Sequence, residues 1–155
     1  MNKLRKLQNL SWRERLLLVQ AWLLLPVIVL ILRWFGLRGC QRVLARFAGS
    51  PTEPEHRPAA QLESCVTAGF LVRVAARYSL LSATCLPQSL TLWWLLQRQG
   101  VVADLRIGVR TEAGGLDAHA WVEYQGRPLN DERTVADRFH PFVAACDSAG
   151  EKASA

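Results

Sequence analysis

A chain of 155 residues is long enough to fold as one domain with a buried core. Its net charge of +6 suits an anionic partner, such as a nucleic acid, a membrane surface or an acidic peptide. The sequence has no zinc-finger spacing and no basic platform flanked by aromatic residues, so nucleic acid is excluded as the predicted partner.

Residues 1–48 are predicted to form a basic and apolar helical segment. Ser11 followed by Glu14 is a capping-box pattern, which predicts the start of a helix. The run from Leu16 to Leu32 is almost wholly apolar and follows a basic flank, so it is long enough to be a membrane span. The competing interpretation is a helix, bent or broken near Pro26, that packs on the rest of the protein.

A Pro-rich linker is predicted over residues 49–61, because residues 49–58 hold three prolines, a glycine and mixed charge. Apolar residues then recur at helical spacing from Leu62 to Ser79. We assign residues 62–146 to the core of one folded domain and residues 147–155 to a flexible tail.

The segment from Thr84 to Gly100 predicts another core helix. Thr84 suits the N-cap, Pro87 lies in the first turn where proline is tolerated, and Gly100 is a natural stop. Cys85 therefore lies at a helix N-terminus, where the partial positive charge of the helix favours the reactive thiolate over the thiol.

Two strands are predicted after this helix. Asp104 to Arg110 and Ala118 to Tyr124 alternate apolar and polar residues, and Thr111 to Asp117 is predicted to be a hairpin loop around two glycines. Such a short connection makes the sheet antiparallel. His119 falls in the second strand and shares a face with the residues two and four positions later, provided that no bulge intervenes.

Cys85, His119 and Asp131 together form a candidate site for thiol chemistry. Cys85 would be the nucleophile, His119 the base, and Asp131, which follows a turn at residues 125–128, the group that orients the imidazole. Backbone N–H groups at the helix start could stabilise the oxyanion. Taken singly, each residue has a simpler interpretation: a buried hydrophobe, a core histidine and a turn residue.

The other three cysteines are Cys40, Cys65 and Cys146. No two cysteines form a C-x-x-C pair, which gives a structural zinc site little support. Their wide, irregular spacing and the lack of a cleavable signal favour reduced thiols in a cytoplasmic protein over disulfides in an exported one. No metal or organic cofactor is implied.

The motifs C-L-P-x-S-L, L-R-I-G-V, A-H-A-W-V-E and L-N-D resemble those of the transglutaminase-like leader peptidases of lasso-peptide biosynthesis, which are small papain-like cysteine proteases. The resemblance covers most of the chain and maps the family's catalytic residues onto Cys85, His119 and Asp131. Glu123 and Asp137 are nearby substitutes for the acid. The implied fold is α+β: N-terminal helices plus a Cys-bearing helix packed on a small antiparallel sheet.

The same resemblance implies a function in bacterial antibiotic biosynthesis, namely removal of the leader from a ribosomally made lasso-peptide precursor. The implied partners are the precursor peptide, a leader-binding protein and an ATP-dependent cyclase that closes the macrolactam. We expect the chain to be too short to include a fused leader-binding domain. The resemblance also favours a buried or peripheral helix over residues 16–32 in a cytoplasmic protein, with membrane contact through that helix still open.

Two other classes of protein also fit the sequence. An acyl transferase of the transglutaminase kind would use the same three residues, with an amine instead of water as the acceptor. A non-catalytic, membrane-anchored adaptor would need the apolar N-terminal segment to span a membrane, and Cys85 would then have no catalytic role.

Overall fold

The computed structural model describes residues 10–47, 58–112, 115–131 and 135–146. Within these ranges three long helices precede the strands of one antiparallel sheet, which fits the α+β class that the sequence predicts. The elements are α1 (Trp12–Phe47), α2 (Pro58–Arg77), α3 (Cys85–Arg98), β1 (Asp104–Glu112), β2 (Gly115–Tyr124), β3 (Arg127–Pro128), α4 (Val135–Arg138) and β4 (His140–Cys146).

The strands form one antiparallel sheet in the order β3-β2-β1-β4. The hairpin between β1 and β2 is tighter than predicted, because Thr111 pairs with Leu116 and Arg110 with Asp117 inside the ladder. β4 was not predicted. It pairs with β1, and the paired residues lie more than thirty positions apart in the sequence. The predicted antiparallel sheet is therefore confirmed, with one more long strand than the alternation of residues indicated.

The pairing of β1 with β2 separates the two faces of the sheet. Leu105 is paired with Val122, and both belong to the hydrophobic core that the three long helices share. On the opposite face Gly108 is paired with His119 and Arg106 with Trp121. The register between these two strands is continuous, so no bulge moves His119 off the face that the sequence predicts.

α1 begins with the predicted capping box and packs through a narrow stripe. The Ser11 N–H donates to Glu14 Oε2 at 2.7 Å, and the Glu14 N–H donates to Ser11 Oγ at 3.4 Å. One stripe of this helix is fully buried against α2 and α3, at Ala21, Leu25 and Ile28. By length and composition α1 could also cross a membrane, and several of its large apolar side chains are exposed, among them Trp12 and Trp34.

The interruption of α1 lies at Gly36 and not near Pro26. The helix continues through Pro26, whereas Gly36 has φ 65° and ψ −175°, values that no helical residue adopts. A positive φ costs glycine little because it has no Cβ, so the chain changes direction there. The sequence predicted a bend or a break near Pro26, and the structure shows no break there.

α2 starts at Pro58, so residues 58–61 of the predicted linker are already helical. Proline at the first position of a helix loses no intrahelical hydrogen bond, since its nitrogen would have had no acceptor there. The rest of the predicted linker and the predicted tail at 147–155 lie outside the described residues.

Candidate active site

Cys85 is the first residue of α3, as predicted. Thr84 is the N-cap with extended backbone, and the helix ends at Arg98, followed by Gln99 as C-cap. The helix is anchored by large buried side chains in its second half, among them Trp93 and Trp94. The Cys85 thiol itself is half-buried at the helix start, where a substrate could reach it.

His119 and Asp131 are joined by a hydrogen bond between His119 Nε2 and Asp131 Oδ2. Both side chains are partly exposed, at 24% and 28%. An ionised carboxylate can only accept a hydrogen bond, so this contact places a proton on Nε2. Nδ1 is then the ring nitrogen that can take a proton from a donor, which is the arrangement a histidine base requires.

Two aromatic rings hold the imidazole of His119 in place. Trp121 stacks on it with ring centroids 6.2 Å apart, and Phe139 lies 5.1 Å away at a tilt of 33°. Gly108 makes room for both, because a Cβ at this position would lie 2.9 Å from Phe139 Cβ and 2.9 Å from the Trp121 ring. The glycine of the L-R-I-G-V motif is therefore required by packing, because a side chain there would displace the two rings that contact His119.

The nearby acid Glu123 is engaged elsewhere. Its Oε1 accepts a hydrogen bond from Trp121 Nε1 at 2.7 Å, and its Oε2 accepts one from Arg106 Nε at 3.3 Å. Glu123 thus holds the tryptophan that stacks on His119, while Asp131 contacts the imidazole. The side chain of Asp137, the other substitute considered, lies outside the described residues.

Two residues with no role predicted from the sequence, Ser89 and Asn130, meet next to the strand of His119. Ser89 Oγ donates to the Ala120 carbonyl at 2.8 Å and accepts from Asn130 Nδ2 at 2.9 Å. Asn130 Oδ1 in turn accepts from the Val122 N–H at 2.9 Å. Both residues stand inside the motifs C-L-P-x-S-L and L-N-D, but only the fold shows that they meet.

This hydrogen-bond chain shows how Cys85 relates to the other two residues. Ser89 lies one helical turn after Cys85 on α3, and it contacts the backbone of the residue that follows His119. The structure therefore places the start of α3 beside the strand of His119 and the loop of Asp131. His119 and Asp131 are in direct contact, and Cys85 begins the helix that Ser89 joins to the strand of His119 and to Asn130.

The other thiols differ from Cys85 in their surroundings. Cys40 and Cys65 are fully buried, and burial raises the pKa of each thiol to about 11. At neutral pH they are therefore protonated and shielded, and the thiol form is a poor nucleophile. The side chain of Cys146 lies outside the described residues.

A comparison with known protein families finds a match that spans the candidate site. The family model described as the transglutaminase-like superfamily matches residues 25–144, a range that contains Cys85, His119 and Asp131. No curated protein and no solved structure matches the chain. Proteins of this superfamily usually have cysteine-dependent catalytic activity. The family model matches more than half of the chain, and the chain therefore belongs to the transglutaminase-like superfamily.

Proposed function

We propose that the protein is a papain-like cysteine protease that removes the leader peptide from a lasso-peptide precursor. The observation that carries the proposal is the His119–Asp131 pair, linked through Ser89 to a helix whose first residue is Cys85. Membership of the transglutaminase-like superfamily supports cysteine chemistry, and the motif resemblance supplies the substrate class.

In the proposed reaction His119 Nδ1 takes the proton of Cys85, and the sulfur attacks the carbonyl carbon of the scissile bond. The oxyanion that forms is stabilised by N–H groups at the start of α3 that have no intrahelical acceptor. Pro87 has no N–H, and the Gln88 N–H already donates to the Thr84 carbonyl at 3.3 Å, which leaves the N–H groups of Cys85 and Leu86. Thr84 makes no side-chain hydrogen bond to the first turn of α3, which supports this role. The imidazolium then protonates the leaving amine, and water hydrolyses the thioester while His119 removes its proton.

An acyl transferase differs from a protease in the acceptor alone, and superfamily membership fits both. Mass spectrometry of the precursor distinguishes them. Hydrolysis gives two fragments whose masses sum to that of the precursor plus one water, whereas transfer joins the acyl part to an amine. Incubation with an added primary amine should leave the hydrolysis products unchanged, and an amine adduct as the main product would contradict the protease proposal.

The proposed partners are the precursor, a leader-binding protein and an ATP-dependent cyclase. A leader peptide is flexible, so binding it through the scissile bond alone must offset a large ordering cost. A second protein that binds another part of the leader raises the effective concentration of the scissile bond at Cys85. A basic protein, with net charge +6, also suits an acidic leader or partner.

We therefore expect the purified protein to cut its precursor slowly alone and faster when the leader-binding protein is added. The measurement is a cleavage time course at precursor concentrations well below saturation. Under those conditions the cleavage rate rises when the effective concentration of the scissile bond at Cys85 rises. A truncated precursor that lacks the part of the leader distant from the cut site is the matched control, and it should show no acceleration. Equal rates with and without the binding protein on the full precursor would contradict the partner proposal.

We further propose a cytoplasmic protein in which α1 is at most peripheral to a membrane. The buried stripe of Ala21, Leu25 and Ile28 packs on α2 and α3, and this packing would be lost if α1 crossed a bilayer. The opposite side exposes apolar residues such as Trp12, Leu23 and Trp34, which suits contact with a lipid surface. Trp22 Nε1 also donates to the carbonyl of Tyr78 at 2.9 Å and fastens α1 to the end of α2.

Cell fractionation tests this placement. We expect high salt or carbonate at alkaline pH to release the protein from membranes, because a peripheral helix is held by surface contacts alone. A membrane fraction that resists carbonate would indicate a spanning helix and favour the membrane-anchored adaptor. A native membrane protein of known spanning topology in the same sample serves as the control.

A further inference from the structure

Three segments of the chain each carry one of the proposed catalytic residues, and two side chains join all three. Ser89 lies four residues after Cys85 on α3, and Asn130 lies one residue before Asp131. Their backbone partners, Ala120 and Val122, belong to the strand of His119.

Ser89 and Asn130 form a chain of three hydrogen bonds that all run in one direction. The Val122 N–H donates to Asn130 Oδ1, Asn130 Nδ2 donates to Ser89 Oγ, and the Ser89 hydroxyl donates to the Ala120 carbonyl. β3 pairs with β2 only at Glu123 and Tyr124. The hydrogen bonds of Ser89 and Asn130 therefore satisfy the backbone groups of Ala120 and Val122, which lie next to that pairing on the edge of β2. Ser89 is fully buried, which makes the chain costly to break.

We infer that Ser89 and Asn130 are positioning residues, which fix the place of Cys85 relative to the His119–Asp131 pair. This inference rests on the proposed function, since it assumes that Cys85 and His119 react together. Ser89 and Cys85 lie about one helical pitch apart on a rigid helix, so a contact that fixes Ser89 against β2 also fixes the thiol. Asn130 carries the same constraint to Asp131, which is the next residue in the sequence.

Thr91 offers a matched comparison on the same helix. It is fully buried like Ser89, and its hydroxyl donates to the Pro87 carbonyl at 2.8 Å. That bond stays within α3 and does not reach the strand of His119 or the loop of Asp131. Loss of the Thr91 hydroxyl therefore removes a buried hydrogen bond without loosening the site.

The test compares the variants Ser89→Ala, Asn130→Ala and the double variant with Thr91→Ala, by cleavage kinetics at a temperature where all are folded. We expect Ser89→Ala and Asn130→Ala each to lower kcat about 10- to 100-fold, the loss expected from a misplacement of about 1 Å, with KM nearly unchanged. The double variant should lose no more than the worse single variant, because the two residues act as one unit. Thr91→Ala should keep its kcat.

A second readout separates positioning from folding. The rate at which iodoacetamide alkylates Cys85 should show a changed pH profile in Ser89→Ala, because the proposed pairing of the thiol with the imidazole would be loosened. Thr91→Ala should keep the wild-type profile. If Ser89→Ala does not fold, Asn130→Ala gives the same test from a half-buried loop position. Wild-type kcat in folded Ser89→Ala or Asn130→Ala, or a loss equal to that of Thr91→Ala, would overturn the inference.

The failure of this inference can be told apart from the failure of the proposed function. A folded Cys85→Ala variant that still cuts the precursor removes the thiol mechanism and the positioning role with it. An inactive Cys85→Ala variant beside a fully active Ser89→Ala variant removes the positioning role alone.

Discussion

A Cys85→Ala variant is expected to fold normally and to leave the precursor uncut. Removing the nucleophile of a protease that works through a covalent intermediate costs on the order of 10⁶-fold in kcat, which falls below detection in an ordinary cleavage assay. The thiol is half-buried at the start of α3, while the packing that holds this helix lies further along it, so the change should leave the fold intact. Circular dichroism and thermal unfolding check the fold, and mass spectrometry of the precursor checks cleavage.

The other cysteines supply matched controls for this prediction. Cys40→Ala and Cys65→Ala should keep their activity, because burial raises the pKa of both thiols to about 11 and keeps them protonated at neutral pH. Cys146→Ala should also stay active. Full cleavage by folded Cys85→Ala would exclude the thiol mechanism, and loss of activity in a folded Cys40→Ala or Cys65→Ala would mean that the wrong cysteine was chosen.

Much of the local structure could be predicted because short-range signals determine it. The capping box at Ser11 and Glu14 forms as expected, and Thr84 stands at the N-cap of α3. The alternation of residues around His119 gives its strand and its face, since the period of a strand is two and no bulge interrupts β2 and β1.

The remaining features depend on contacts between distant parts of the chain. β4 pairs with β1 from more than thirty positions away, and no local alternation revealed it. The contact between Ser89 and Asn130 spans 41 residues, so each looks like an ordinary polar residue in the sequence alone. The change of direction of α1 at Gly36 was not predicted from the sequence, because an isolated glycine inside a helical pattern does not by itself mark a break.

Asp131 follows a turn, and short turns let an alignment slip, so the sequence also offered Glu123 and Asp137 as the acid. The structure joins Asp131 to His119 and directs Glu123 to Trp121 and Arg106. A catalytic role for this contact remains a prediction, and it has a clear chemical consequence. The carboxylate keeps the proton on Nε2, which leaves Nδ1 to act as the base.

We therefore expect Asp131→Asn to lower kcat by orders of magnitude, towards the roughly 10⁴-fold loss that follows the same change in the triad of serine proteases. The asparagine amide can donate to Nε2, which favours the tautomer with its proton on Nδ1, and that nitrogen can then no longer take the proton of Cys85. Glu123→Gln is the matched control: it removes a charge from the same face of the sheet and should cost far less. Cleavage kinetics of the two variants, with Asp137→Asn beside them, decide the assignment. A large loss in Asp137→Asn together with a small one in Asp131→Asn would show that the acid has been misassigned, because a group that fixes the tautomer of His119 cannot be replaced by an amide without loss of the base.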